Sequence, residues 1–169
     1  MRKFILVFVV PMLLLSFRGY SEDVGKNKMR NIYLWSFLRY IEFPTDGPLK
    51  VAYVGRSSDE FTEMRDFLKI RKAQGKSIEV ELASSTDDLS SYHLVYISDA
   101  YSSHIEDVKT SASSSKTVIV SERSNLIDKG AGISFFIQGN KMLFKLNKSF
   151  FDQTGLSVSS SLLNVARII

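Results

Sequence analysis

Apolar positions change their spacing several times along the chain, and each change marks a new element. Between Lys26 and Ile41, Met29, Tyr33, Phe37 and Tyr40 recur at helical spacing, and Leu34 and Ile41 widen the stripe, so an amphipathic helix is predicted there. Pro44 ends the pattern, because the residue before a proline is pushed out of helical geometry. A second apolar set, Ile32, Trp35 and Leu38, lies on the other side among Lys28, Asn31 and Arg39. One core-facing stripe does not need that set, so it faces either a second layer of the fold or a partner.

Beyond Pro48 the period alternates between strand and helix. "LKVAYVG" (49–55) reads as a strand closed by glycine, and 58–72 as a helix with Phe61, Met64, Phe67 and Leu68 inward. "SIEVELA" (77–83) alternates with period two, while "HLVYIS" (93–98) is the continuous apolar run of a strand covered on both faces. A weaker helix over 102–112 and the strand "KTVIVSE" (116–122) follow. Strands separated by helices predict an α/β fold of Rossmann-like βαβ units around a mostly parallel sheet. "GISFFIQ" (132–138) and "KMLFKLN" (141–147) then flank Gly139-Asn140, the signature of an antiparallel hairpin. Asn147 can cap a short helix over 148–154, with Gly155 after its end. The chain closes on "GLSVSSSLLNVARII", read as a helix capped by Ser157 or Ser159. Its face of Leu162, Leu163, Val165, Ala166 and Ile169 is expected to pack on the protein's own sheet, with only Ile168 pointing away.

The N-terminus sets the compartment. Arg2 and Lys3 precede an apolar run from Phe4 to Leu15, and small residues lie at Gly19 and Ser21, the layout of a secretory signal peptide spanning 1–21 with a cut before Glu22. The run falls short of the ~20 residues a bilayer span needs, although an uncleaved N-terminal anchor is the competing reading. A single domain over 22–169 is expected after cleavage. Removing Arg2, Lys3 and Arg18 leaves 19 basic against 18 acidic residues, so the calculated basicity belongs to the targeting segment. A nucleic-acid binder would carry a basic stripe, and none is visible. There is no cysteine, so an exported domain of this kind relies on packing alone.

The residue inventory argues against catalysis. The only histidines, His93 and His104, lie on an apolar strand and on a polar helix, and no G-x-S-x-G or H-E-x-x-H occurs. No catalytic residue, metal ligand or cofactor is assigned. "VGRSSDE" (54–60) puts one glycine between a strand and a helix, which an ordinary βα turn explains better than a phosphate cradle. Asp87-Asp88 and Glu106-Asp107 are read as solvated charge, since adjacent helical residues do not face each other.

Several stretches together resemble the YfiR-like family of periplasmic proteins. "YLWSFLRYIEFP" (33–44) resembles its opening helix, "YHLVYIS" (92–98) its middle strand, "GAGISFFIQGNKMLFKLN" (130–147) its hairpin and "GLSVSSSLLNVARI" (155–168) its closing helix. The resemblance implies a non-enzymatic inhibitor that binds the periplasmic domain of an inner-membrane signalling protein, a diguanylate cyclase, and so controls cyclic di-GMP and biofilm. It also implies an outer-membrane lipoprotein that can sequester the inhibitor, and an often dimeric state. Two departures stand out: members commonly carry disulfides, which this chain cannot form, and Phe43 replaces a common tryptophan before the proline.

Association of that kind would rest on a few apolar anchors, for which Trp35, Leu38, Phe43 and Ile168 are the candidates. The competing reading buries the first three beneath the sheet or the closing helix. The rival function is a periplasmic small-molecule sensor, with Tyr53, Gly55, Ser98 and Asp99 around a pocket at the strand ends, where open α/β folds place ligands.

Overall fold

The computed structural model describes residues 19–112 and 116–169, with side chains from Gly25 onward. The apolar run of the predicted signal peptide therefore lies outside the described residues, as does the middle of the serine cluster at 113–115.

Eight strands form one sheet: β1 (Leu49–Val54), β2 (Lys72–Ala73), β3 (Lys76–Ala83), β4 (Leu94–Ile97), β5 (Val118–Ser121), β6 (Ile133–Gln138), β7 (Lys141–Leu146) and β8 (Arg167–Ile168). Their order is β2-β3-β1-β4-β5-β6-β7-β8. The five central strands, β3 to β6 in that order, are mutually parallel, as are β7 and β8, whereas β2–β3 and β6–β7 are antiparallel. The expected mostly parallel α/β sheet with a C-terminal hairpin is what the chain forms. All four residues of β4 and of β5 are buried, as apolar runs covered on both faces must be.

The helices are α1 (Gly19–Tyr40), α2 (Asp59–Lys69), α3 (Ile105–Ser111), α4 (Lys148–Thr154) and α5 (Ser160–Leu163), with 3-10 turns at Asp99–His104 and Ser124–Lys129. On one face of the sheet, α1 and α2 cover Val51, Tyr53, Leu94, Tyr96, Val118 and Val120. On the other, α3 and the 3-10 turns cover Val54, Val95, Ile97 and Ile119.

Helix α1 runs seven residues further toward the N-terminus than its apolar pattern predicts, and its inward face is also rotated. Leu34, Phe37, Leu38 and Ile41 are fully buried, whereas Met29 is 43% exposed and Tyr40 half-buried. The inward line continues through two polar residues, Arg30 and Asn31, the second of which the sequence pattern groups with the other side of the helix. Phe37 anchors the helix by stacking on Phe135 at 5.9 Å and meeting Phe144 edge-on at 5.0 Å, arrangements favoured by the ring quadrupole. Tyr33 completes the group and donates its hydroxyl to the Met142 carbonyl at 3.0 Å.

Helix α2 is shorter than expected because the chain turns into β2 at Lys72. Gln74 and Gly75 make the two-residue turn to β3 with φ of 54° and 76°. A left-handed glutamine is strained by ~1–2 kcal/mol. Here its side-chain amide donates to the carbonyls of Leu38 and Ile41 at 2.8 and 2.7 Å, satisfying the exposed end of α1. At the other hairpin, Gly139 takes the positive φ of 59° in the predicted Gly139-Asn140 turn.

The closing segment departs most from expectation. Ser159 does act as a cap, its hydroxyl accepting from the Ser161 N–H, but α5 lasts a single turn. Arg167 and Ile168 then pair with Lys145 and Leu146 as a parallel edge strand. The reason is hydrogen-bonding supply: the outer edge of β7 has unpaired backbone groups, and Ile169 meets them by donating to Leu146 and accepting from Lys148, both at 3.0 Å. Of the predicted apolar face only Leu162 is buried and Ala166 half-buried, while Leu163, Val165 and Ile169 are exposed.

Candidate functional site

Arg30 is 1% exposed, the most unusual polar placement in the chain. It descends from α1 onto the C-terminal ends of β4 and β5, where one guanidinium nitrogen lies 2.9 Å from Glu122 and 3.1 Å from Glu60 at the start of α2. The guanidinium sits over the Tyr96 ring at 5.4 Å, and the Tyr96 hydroxyl donates to Glu60 at 3.0 Å. Burial opposes the charge on Arg30. The Tyr96 oxygen and the Glu60 and Glu122 carboxylates more than offset that, so its pKa is raised. Burial also drives the Tyr96 hydroxyl well above its ordinary range. The group ties α1, α2 and the sheet together, and it contains neither a nucleophile paired with a base nor a metal-ligand set. Among the described residues, no cluster of three His, Cys, Asp or Glu could hold a metal ion.

The strand order reverses between β1 and β4, and all four residues of the sensor reading sit at that point. Three of them, Tyr53, Gly55 and Ser98, pack on one another. A side chain at Gly55 would meet the Tyr53 ring at 2.3 Å and the Ser98 hydroxyl at 2.8 Å, so glycine is required there by close approach and not by a ligand cradle. Ser98 donates back to Val54, and Asp99 is occupied by Arg123 at 2.7 Å. The Tyr53 hydroxyl is pushed up to about 12, first by burial and then by the Glu60 charge. In "VGRSSDE", Ser58 caps α2 by accepting from the Phe61 N–H.

The four candidate anchors separate. Leu38 is fully buried and Phe43 is 4% exposed against the edge of His93, so neither has surface to offer a partner in this conformation. Trp35 is half-buried: its indole donates to the Lys72 carbonyl at 3.0 Å, and Arg39 lies over its ring at 4.7 Å. Ile168 alone is open, at 43% exposure. In the same closing segment Leu163, Val165 and Ile169 are also exposed, at 37, 63 and 46%. The sequence pattern hid this, because the same residues fit a buried helical face.

His93 is structural, its Nδ1 accepting from the Lys50 N–H at 2.9 Å, and His104 is held at the surface by Asp107 at 3.2 Å. Asp87 and Asp88 each accept a backbone N–H of their own loop. A groove of about 850 Å³ lies between α1 and the β6–β7 hairpin, lined by Met29, Tyr33, Ile137, Met142 and Leu143 with Lys26 and Lys141 at its rim. Among the described residues no helix is long and apolar enough to cross a membrane.

The fold recurs in solved structures. A conserved domain protein from Vibrio cholerae O1 biovar El Tor str. N16961 superposes with a TM-score of 0.60 at 12% identity, over 82% of this chain and 59% of that one. An ABC domain from Streptococcus pneumonia, in complex with L-Trp, gives 0.60 at 15% identity over 80% and 59%. The chain thus spans 59% of each of these proteins, and at such identities the likeness is one of fold. A search of curated proteins finds no match. A family model described as YfiR/HmsC-like matches residues 27–167, from the inward-facing half of α1 through the first residue of β8, and the chain belongs to that family.

Proposed function

We propose that this protein is an exported periplasmic regulator that binds and inhibits an inner-membrane signalling protein, a diguanylate cyclase, and so limits cyclic di-GMP. Family membership over residues 27–167 carries this reading. The structure adds a surface suited to it. The edge formed by Leu163, Val165, Ile168 and Ile169 presents aliphatic side chains beside a short open strand, the kind of patch that marks a protein contact. Binding here needs no catalytic group. Burying such side chains in a partner would supply the association, with Ile168, on the edge strand itself, as the residue to test. An outer-membrane lipoprotein that sequesters the inhibitor would compete for the same edge.

The test is capture of the cyclase's periplasmic domain by protein purified from periplasmic extract. Ile168→Asp is expected to abolish capture and raise cyclic di-GMP in cells, while leaving the melting temperature near that of the parent, since exposed positions usually change stability by less than ~0.5 kcal/mol. Unchanged cyclic di-GMP on deletion of the protein, or co-purification of a metabolite in place of a protein, would replace this reading with the sensor.

A further inference from the structure

A second surface of quite different chemistry lies where α1 crosses the end of α2. Lys28, Ile32, Trp35 and Arg39 share one face of α1 at helical spacing. The Trp35 ring carries Arg39 at 4.7 Å and Arg71 at 5.9 Å, and Arg71 also lies over Phe67 at 3.4 Å. Two guanidinium groups are thus held on a fixed aromatic platform. Lys69 and Lys72 flank them, and among the described residues none of these four cations is in an ion pair. The acids of the adjoining stretch of α2 are engaged elsewhere, Glu63 accepting from Asn27 and Asp66 pairing with Arg65. Between Lys69 and Arg71 stands Ile70, 80% exposed, the most exposed large aliphatic side chain of the described residues.

We infer that this surface docks on a bilayer rich in anionic phospholipid. The chemistry separates it from a protein contact. Trp35 has no free indole N–H, since the Lys72 carbonyl takes it, and cations cover the ring, so it is poorly placed to fill a partner's pocket. Arg39, Lys69 and Lys72 are exposed, and Arg71 is half-buried with its guanidinium also donating to the Phe67 carbonyl. What remains outward is a set of cations without carboxylate partners around one protruding aliphatic group. Such a set matches a planar array of phosphates with an apolar layer just beneath, each cation near such a surface contributing about a fivefold gain in partitioning. The near-balance of 19 basic and 18 acidic residues after signal-peptide removal means that the attraction is local to this patch. Docking here would hold the regulator against the membrane that carries its proposed target, but the surface and its vesicle-binding test are independent of that target.

The experiment is co-sedimentation of protein purified from periplasmic extract with vesicles of phosphatidylglycerol and phosphatidylethanolamine, against vesicles of phosphatidylcholine alone. Binding to the first set only, weakened by salt, is expected. Lys69→Gln with Lys72→Gln should lower it about 25-fold, and Ile70→Asp should lower it further. The pair Lys116→Gln and Lys129→Gln should leave it unchanged, as both are exposed and lie away from the platform. Unaltered melting temperatures keep the comparison to binding. The inference is overturned by equal binding to both vesicle types, by none to either, or by equal losses in the two lysine pairs. It is also overturned if the Lys69/Lys72 variant keeps vesicle binding yet loses capture of the cyclase domain from lipid-free extract, which would make the surface a site for an acidic protein.

Discussion

The two ends of the sheet solve the same problem in opposite ways. A terminal strand exposes unpaired backbone groups, and at the β2 end these are managed by side chains: Trp35 donates to the Lys72 carbonyl, and Gln74 turns back to cap α1. The strand there is two residues long, begins with Lys72 and follows Arg71. At the other end, β8 is equally short but carries Ile168 and lies between Val165 and Ile169, all exposed. One edge is closed by polar contacts within the chain and the other is left open and aliphatic. On the proposed reading, protein association belongs to the β8 edge, while the β2 edge serves stability and presents cations around the exposed Ile70.

The largest expected effect comes from breaking the closed end at its root. Arg30 joins α1 to α2 and β5 from a fully buried position, and its removal strands Glu122, whose side chain is 8% exposed. Arg30→Met should destabilise the fold by ~3–5 kcal/mol, because an uncompensated charge remains in a low-dielectric site. Adding Glu122→Leu and Glu60→Gln to Arg30→Met should restore much of that stability, since well-packed apolar replacements of buried ion pairs are often tolerated. Chemical denaturation of the single and triple variants measures both. A loss under ~1 kcal/mol in the single variant would show that the cluster does not hold α1 in place.

Trp35→Ala acts next, and it separates the two ends directly. The ring is half-buried, packs on the core cluster and carries one hydrogen bond, so a loss of ~2 kcal/mol is expected, less than the ~3–5 for a fully buried tryptophan. Capture of the cyclase domain should survive at temperatures where the variant is folded. Lost capture with unchanged melting would move the protein contact from β8 to α1.

Much of this architecture was legible in the sequence. The strands at β1, β4, β6 and β7 and the helix Lys148–Thr154 lie where periodicity, the Gly139-Asn140 turn and the Asn147 cap place them. What escaped has identifiable physical causes. Strand β2 is too short to show a period, and its turn depends on a left-handed glutamine that no local propensity favours. The residues 162–169 fit a helical face, but the open edge of β7 offered backbone pairing that propensity cannot see. The burial of Arg30 has no local signal, because burial of a charge depends on partners 30 and 92 residues away, Glu60 and Glu122. The anchors divided for the same reason: apolar character marks Leu38, Phe43 and Ile168 alike, and only packing distinguishes the first two from the third.

The smallest effect is a pH response confined to the closed half. His93 receives the Lys50 N–H where β1 and β4 begin, and burial, followed by the Lys76 and Lys50 charges, holds its pKa below the ordinary imidazole value. In the unfolded chain that value returns to about 6.5. Between the two values the unfolded state binds more protons, so stability rises with pH there. The contribution is complete above about pH 6.5 and is lost as pH falls through the folded value. His93→Asn keeps an acceptor for Lys50 and removes the titration, so its melting temperature should fall less on acidification than that of the parent. All other ionisable groups are common to both proteins and cancel in the difference. Parallel melting curves would mean that His93 does not sense pH. Since His93 lies where the central strands β1 and β4 begin and Ile168 lies at the β8 edge, capture of the cyclase domain should not follow this titration while the protein stays folded. If capture did follow it, the two ends would be coupled through β4 and β5, and the open edge could no longer be treated as independent of the closed one.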